Sequence, residues 1–341
     1  MSTIIPPTPT PTPTPTGAGA AASYCYQVFG LHLESDCALP ELAPGTPAAP
    51  GITVRSLAAQ EQPRLPATWF GRWHMGDGQL HFLGGRNHEG FVLCFPGDTV
   101  FLISPDCKEI RYRRDGTGRA AGFRHSLLDQ VIPRTLAQGG HLVLHASSVM
   151  TESGTVCFIG HPGRGKSTLA AAFHSEGARL LADDAVRIDA SPAAISCAPA
   201  YPGVRLRHDA ADRFSPAPQS RKPVGYRPGK FRCDLYGGAP PSPYPNEIPL
   251  RAILSLRRQP AVSPAGHAFL SRLHGAAAAA ELMAHAFRLH VGDRTHLSQI
   301  LRQAACVAAQ IPVYLATYPS DLDLLPRVCA EIARAIDQGS D

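Results

Sequence analysis

The sequence lacks any apolar run as long as the roughly 18 residues that a membrane-spanning helix needs. Its longest candidate, 275–287, is an alanine run that contains Glu281 and His285, so we expect no membrane partner. An excess of one charge is also missing, because the formal net charge of +5 is too weak to predict nucleic-acid binding. A hydrophobic fraction of 44% excludes wholesale disorder. The 341 residues therefore predict two folded domains, or one large domain with additions.

Paired cysteine motifs and a secretory signal are missing as well. The nine cysteines are scattered and include no C-x-x-C pair or metal-ligand spacing. The amino terminus has neither a basic start nor an apolar segment. We therefore expect reduced thiols in a cytoplasmic protein. Residues 6–16 form a Pro-Thr repeat, which favours extended chain and cannot bury a core, so we interpret 1–22 as a disordered tail.

Two kinds of pattern follow the tail. From 24 to about 114 short β-patterned runs alternate with turns, which predicts a small β-rich domain over 23–120. From 121 to 341 strand and helix patterns alternate, which predicts an α/β domain. The strands expected there are 141–149, 155–159, 178–182, 252–256 and 312–318, and the helices are 122–138, 166–175, 276–288, 297–310 and 324–336.

Residues 160–167 carry the pattern G-x-x-x-x-G-K-S. Its glycines let the backbone curl so that N–H groups point at phosphate oxygens, and the following helix adds the positive end of its dipole. The Lys166 ammonium can reach the outer phosphates, and the Ser167 hydroxyl can bind Mg²⁺. The preceding strand and following helix favour this interpretation over a plain turn. The predicted phosphate-binding residues are Gly160, Gly163, Arg164, Gly165, Lys166, Ser167 and Thr168.

Two carboxylates, Asp183 and Asp184, end the strand that follows this loop. A carboxylate in that position can bind Mg²⁺ or accept a proton. Neighbouring residues of an extended strand face opposite ways, so only one of the two can point into the site. We assign Asp183 as the general base toward an acceptor hydroxyl, and Asp184 to the metal or the loop geometry. The reverse assignment stays open, as does a turn or helix cap made of two Asp.

Three more side chains are candidates for this site. His145, at the exit of an upstream strand, is expected either to contact the carboxylate or phosphate or to be a core histidine. Arg205 and Arg207 alternate with apolar residues, which places both guanidinium groups on one strand face as a phosphate or carboxylate clamp, or as solvent-facing charge. They lie in a basic stretch, 203–232, whose eight basic and two acidic residues give a net charge of +6. The stretch is either a solvated loop or a strip that binds phosphate or an acidic partner.

At these residues the chain resembles the HPr serine kinase/phosphorylase family. The resemblance rests on His145-Ala-Ser-Ser-Val149, the glycine-rich loop and Leu181-Ala-Asp-Asp-Ala-Val186, which occur in the family's order and cover about 142–207. It implies a P-loop kinase domain of the HPr kinase type, an α/β fold with a mixed sheet flanked by helices. It also implies ATP and Mg²⁺ as cofactors, phosphoryl transfer to a serine hydroxyl, and homo-oligomers.

One segment departs from that family. Its Glu-containing Arg-Gly-x-Gly stretch is replaced by Ala200-Tyr-Pro-Gly-Val-Arg-Leu-Arg207, which removes one metal contact and argues against phosphorylase activity and an HPr substrate. The Tyr-Pro-Gly-Val-Arg-Leu part and Val28-Phe-Gly-Leu-His-Leu-Glu-Ser35 resemble the HPr-kinase-like proteins that accompany lasso-peptide biosynthesis. Some of those proteins phosphorylate a serine of the precursor peptide.

The combined prediction is an ATP-dependent serine kinase that acts on a protein or peptide, with a lasso-peptide precursor as one candidate acceptor. Lys166 and the loop amides would hold the phosphates, Ser167 and Asp184 the Mg²⁺, and Asp183 would take the serine proton with His145 beside it. Three alternatives stay open: an HPr kinase/phosphorylase that regulates carbon metabolism, a non-catalytic nucleotide-binding regulator, and a kinase for small molecules.

Overall fold

The computed structural model describes residues 23–75, 78–115, 120–191, 193–215, 221–224, 229–236, 247–259 and 269–339, so the predicted tail at 1–22 lies outside it. Strands dominate the first part of the chain. They are β1 (Tyr24–Val28), β2 (Leu31–Ser35), β3 (Ala43–Pro44), β4 (Ile52–Ser56), β5 (Trp69–His74), β6 (Leu80–Asn87), β7 (Gly90–Phe95), β8 (Thr99–Ile103) and β9 (Glu109–Arg114). Together they form one sheet in the order β3-β1-β2-β4-β9-β8-β7-β6-β5.

One tight turn explains the pairing at the start of this sheet. The run from Tyr24 divides at Phe29 and Gly30, which both have positive φ (54° and 68°) and so turn the chain back on itself. Such a turn joins neighbouring antiparallel strands with the correct twist. β1 and β2 therefore pair as a hairpin, with Val28 opposite Leu31.

Strands and helices alternate in the rest of the chain. The strands are β10 (Leu142–Leu144), β11 (Ser147–Thr151), β12 (Gly154–Ile159), β13 (Arg179–Ala182), β14 (Val186–Ala190), β15 (Ile195–Pro199), β16 (Val204–Arg207), β17 (Lys222–Pro223), β18 (Lys230–Cys233), β19 (Ile248–Gln259), β20 (Phe269–Leu273) and β21 (Val313–Pro319). The helices are α1 (Ala120–His125), α2 (Ile132–Gln138), α3 (Lys166–Ser175), α4 (His208–Phe214), α5 (Gly275–His285), α6 (Arg294–Gln310) and α7 (Leu325–Asp337).

Two predicted elements are interrupted. The helix expected over 122–138 contains a π-helical segment, Ser126–Val131, between α1 and α2. Pro133, which has no N–H to donate, directly follows the π-helical segment, where the regular i→i−4 bonding of the helix is already interrupted. The strand expected over 141–149 is broken at His145 and Ala146. Both irregular segments supply residues to the site described below.

The central sheet of the α/β part is mixed. Its strand order is β10-β14-β15-β19-β12-β11-β13, with β21 beside β19 and β20 beside β21. β12 and β19 are parallel, whereas β11 is antiparallel to both β12 and β13. The predicted strand–helix–strand unit is therefore present, but β11 separates its two strands. This insertion places the first residue of β11 next to the last residues of β12 and β13.

Apolar cores cover both faces of this sheet. Because side chains alternate along a strand, Val156 and Phe158 of β12 join one core with α3, α4 and α7, while Cys157 and Ile159 join the other. The second core is continuous with buried residues of the β-rich sheet. Mixed sheets flanked by helices were predicted, and this coarse architecture is confirmed.

Among the described residues, no helix is long and apolar enough to cross a membrane. The nine cysteines, all described, form no disulfide.

We expect Leu254→Ala to lower the free energy of unfolding by ~2–5 kcal/mol, because Leu254 on β19 is fully buried in one core. The matched control is Leu301→Ala on α6, whose side chain is 49% exposed and whose loss should cost less than ~0.5 kcal/mol. Urea unfolding followed by circular dichroism measures both values. Equal losses would contradict the packing described for this sheet.

Candidate active site

The glycine-rich loop lies between the end of β12 and the start of α3. Gly160, Gly163 and Gly165 have φ values of 145°, 82° and 94°, a region that side-chain-bearing residues rarely adopt. The Lys166 ammonium donates a hydrogen bond to the carbonyl oxygen of Gly160 at 2.7 Å, and this bond joins the last part of the loop to its first residue. The first N–H groups of α3 follow directly, and an amino-terminal helix end of this kind favours an anion. The loop and the start of α3 thus lie where the sequence predicts a phosphate cradle, and that role stays a prediction.

Asp183 is buried at the edge of this cradle and is 1% exposed. Its Oδ1 accepts hydrogen bonds from the hydroxyls of Ser147 and Ser167, the latter at 2.9 Å, and its Oδ2 accepts the backbone N–H of Arg205 at 3.1 Å. Burial raises the pKa of Asp183, and the neighbouring charge of Asp184 acts in the same direction. The carboxyl is thus fixed against the loop serine by donors from three elements, β11, α3 and β16.

Asp184 occupies a different environment from its neighbour. Its φ of 73° is left-handed, so the backbone leaves the extended path and the two carboxyls separate. The side chain is 19% exposed and accepts an ion-pair hydrogen bond from Arg205. Burial raises the pKa of Asp184, but the surrounding positive charges, led by the Arg205 guanidinium, together outweigh it and hold the pKa well below its usual range. Asp184 is therefore the ionised and more accessible carboxylate.

His145 lies in the break between β10 and β11, and its ring contacts the backbone of Asp184. Its Nδ1 is 2.9 Å from the backbone carbonyl oxygen of Asp184. A carbonyl only accepts, so this geometry assigns the hydrogen to Nδ1. Burial, together with the charge on Lys166, lowers the pKa of His145 to about 4, which leaves the ring neutral near pH 7. The ring thus supports the left-handed backbone of Asp184.

The two predicted clamp residues have different surroundings. Both lie on β16, but Arg205 is 8% exposed and its guanidinium is bound by the carboxylates of Asp129 and Asp184. Arg207 is exposed where the strand ends, and it lines a shallow pocket beside Gly165. A shared strand face therefore did not bring the two groups together. Arg205 binds two carboxylates, whereas Arg207 is the one of the two that lies exposed beside the loop.

Asp129 is the site residue that the sequence analysis missed. It lies in the π-helical segment, is 2% exposed, and accepts hydrogen bonds from Arg205 and from the Tyr201 hydroxyl at 2.6 Å. The sequence did contain a pattern that could have identified Asp129, because this residue follows Leu127 and Leu128 on a helix face that packs into the core. A carboxylate on such a face needs a buried partner. The partner itself could not be read from the pattern, because Arg205 is 76 positions away.

The residues beside the cradle fit a Mg²⁺ ion that arrives with a nucleotide. Magnesium at phosphate sites keeps several waters and takes one or two protein oxygens besides the phosphates. The Ser167 hydroxyl and the Asp183 carboxyl, 2.9 Å apart, supply such a donor set. Among the described residues there is no group of three or more His, Cys, Asp or Glu side chains that could hold a metal without the nucleotide.

Comparisons with known proteins give little besides a distant likeness in fold. No family model matches the sequence, and no curated protein matches it. A solved structure of the HPr(Ser) kinase/phosphatase from Coxiella burnetii is similar, with 11% identity and a TM-score of 0.31 over 58% of this chain and 99% of that chain. A likeness of this size carries no argument about function, which has to rest on the site itself.

We expect Gly165→Ala to weaken ATP binding by about tenfold or more, since strain and a clash together exceed ~1.4 kcal/mol. A Cβ at Gly165, where φ is 94°, would lie 2.3 Å from the Tyr318 hydroxyl oxygen and 3.6 Å from the next ring atom. Titration with a fluorescent ATP analogue measures the effect.

Gly177→Ala is the matched control for that variant. Gly177 also has a left-handed φ of 99°, but nothing lies within 4 Å of the added Cβ, so it should lose stability without losing ATP affinity. Adding Tyr318→Phe to Gly165→Ala removes the clashing oxygen and should restore part of the affinity. If Gly165→Ala binds ATP as well as Gly177→Ala does, the loop is not the phosphate cradle.

Proposed function

We propose that the protein is an ATP-dependent kinase that transfers the γ-phosphoryl group to a serine hydroxyl of a protein or peptide. The observation that carries this proposal is the hydrogen bond between Ser167 of the loop and Asp183. It joins the phosphate cradle to a pair of carboxylates, of which the second, Asp184, is accessible and ionised.

Positioning and charge neutralisation would supply most of the catalysis, because phosphoryl transfer passes through a loose transition state. Lys166 spans the mouth of the loop and is placed to exchange its bond with Gly160 for phosphate oxygens. The N–H groups at the start of α3 face the same anion. A bound Mg²⁺ would neutralise charge on the phosphoryl oxygens, with Ser167 and Asp183 as its protein ligands.

We assign the general-base role to Asp184 and the metal role to Asp183, which reverses our first assignment and follows the alternative left open above. Asp183 is supported as the metal-side carboxyl because its Oδ1 already contacts Ser167. Asp184 is supported as the base because it is ionised and 19% exposed. Its carboxylate would hold the serine O–H in line with the phosphorus and take the proton as the new O–P bond forms, while the bond from the γ-phosphorus to the β–γ bridging oxygen breaks and ADP leaves.

We propose the class of acceptor from the basic side chains that lie near the loop. Arg207 and Lys222 are exposed members of the basic stretch, and Arg207 lines the pocket next to Gly165. Positive charge at the entrance favours a substrate with acidic residues near its serine. A precursor peptide of the lasso type and HPr are both candidates to assay.

We expect Asp184→Asn to lower kcat by about 10²–10⁴-fold, the usual contribution of a general base, with ATP affinity retained. Asn is well suited to this test because it tolerates the left-handed φ of 73° at this position.

Lys166→Ala should lower kcat/KM by about 10²–10³-fold through lost phosphate contacts. The assay follows transfer of labelled γ-phosphate to serine peptides with acidic flanks, a precursor peptide and HPr, with phosphoserine identified by mass spectrometry.

Asp337→Asn is the control for these variants, because Asp337 is an exposed carboxylate at the end of α7. It should behave as the wild type. ATP binding without transfer to any of these acceptors would favour the non-catalytic regulator. Full activity in Lys166→Ala would contradict the site assignment.

A further inference from the structure

We propose that Asp129 is a positioning residue for Asp184 and that it couples the reaction site to Glu41 in the β-rich part of the chain. The inference rests on the kinase function proposed above and extends it to residues that touch neither nucleotide nor acceptor. The observation behind it is a continuous chain of buried and partly buried polar contacts between Asp184 and Glu41. Arg205, Tyr201 and Arg232 form its links.

The first link is the Arg205 guanidinium, which lies between two carboxylates. One of its terminal nitrogens donates to Asp184 and the other to Asp129. A guanidinium is planar and rigid, so the contact on one side fixes the direction of the other. The side-chain orientation of Asp184 therefore depends on where Asp129 holds Arg205.

Asp129 is itself held in place by further donors. Its Oδ1 accepts from the Tyr201 hydroxyl at 2.6 Å, and its Oδ2 is 2.6 Å from Nδ1 of His125. Burial and the charge on Arg205 lower the pKa of His125, so the ring is neutral near pH 7 and donates from Nδ1. With a fractional exposure of 2%, Asp129 has no solvent to replace any of these donors.

The remaining links reach the β-rich part of the chain. The Tyr201 hydroxyl accepts from Arg232 at 3.0 Å, and Arg232 forms an ion pair with Glu41 at 3.2 Å. Glu41 also accepts from Arg124 of α1 at 2.8 Å. Glu41 lies in the segment between β2 and β3, so one carboxylate of the first sheet ends the chain that begins at the reaction site.

The charges of this chain balance only when Asp184 is ionised. Its acidic groups alternate in space with guanidinium groups, so the loss of one carboxylate leaves a surplus positive charge beside Arg205. That surplus would draw the Asp184 carboxylate more tightly onto the guanidinium and away from an incoming hydroxyl. The carboxylates are Glu41, Asp129 and Asp184, and the guanidinium groups are those of Arg124, Arg205 and Arg232.

The test is a double-mutant cycle on kcat in the full-length protein, with Asp129→Asn and Asp184→Asn made singly and together. We expect Asp129→Asn alone to lower kcat by about tenfold while the KM for ATP stays within about twofold. In the Asp184→Asn background the same change should have almost no effect, because it acts through Asp184. A purely structural role predicts the same fold-loss in both backgrounds, and that result would overturn the proposal.

Two milder variants keep the test decisive if Asp129→Asn does not fold. Tyr201→Phe removes one donor to Asp129, and Glu41→Gln removes the terminal charge, so both should lower kcat by about two- to fivefold and only when Asp184 is present. Glu34→Gln is the matched control, since Glu34 pairs with Arg55 in the same sheet but lies outside the chain. Equal kcat in Tyr201→Phe, Glu41→Gln and the wild type would also refute the coupling.

The same cycle measured on unfolding free energies separates this proposal from the proposed function. Asp129 and Asp184 share Arg205, so their unfolding free energies should be non-additive whether or not the protein turns over ATP. A wild type without phosphoryl transfer, but with non-additive stabilities, would refute the kinase and leave the coupling intact. Additive stabilities would refute the coupling itself.

Discussion

The site depends on one buried carboxylate, Asp183, because a buried charge has to be paired and this one is paired by three separate elements. β11 supplies the Ser147 hydroxyl, α3 the Ser167 hydroxyl and β16 the backbone N–H of Arg205. Loss of the Arg205 N–H would leave Oδ2 without a donor in the core, at a cost of about 1–3 kcal/mol or more for a charged group, and loss of either serine would leave Oδ1 with one donor instead of two. The same requirement that stabilises the fold therefore fixes the glycine-rich loop relative to the rest of the reaction site.

A left-handed backbone at Asp184 gives two adjacent carboxylates different chemistry. Extended backbone would send them to opposite faces of the strand, with one of them buried on the far side. The φ of 73° instead turns Asp184 toward Arg205 while Asp183 stays with the serines. A non-glycine residue in this region costs on the order of 1 kcal/mol. The bond from His145 to the Asp184 carbonyl and the ion pair with Arg205 offset that cost.

Sequence patterns predicted what depends on neighbours along the chain. The loop at 160–167, helix α3 and the strands on either side of it were predicted because glycine spacing and apolar periodicity are local signals. The insertion of β11 between β12 and β13 was not, since strand order depends on contacts between distant segments. For the same reason the partners of Arg205, and hence the separate environments of the two carboxylates, could not be deduced from the spacing of Arg205 and Arg207.

The chain of charges from Glu41 to Asp184 has a physical consequence for the whole molecule. Buried ion pairs stabilise a fold weakly at best, because removing charges from water offsets most of their attraction, and apolar side chains of the same volume often do better. Stability alone therefore gives little reason to bury Asp129, Arg205 and Tyr201 beside the apolar core. The orientation of side chains gives a better reason, because directional hydrogen bonds fix the position of a guanidinium and apolar packing would not. In the proposed coupling, the segment between β2 and β3 therefore contributes to the proposed reaction site through Glu41.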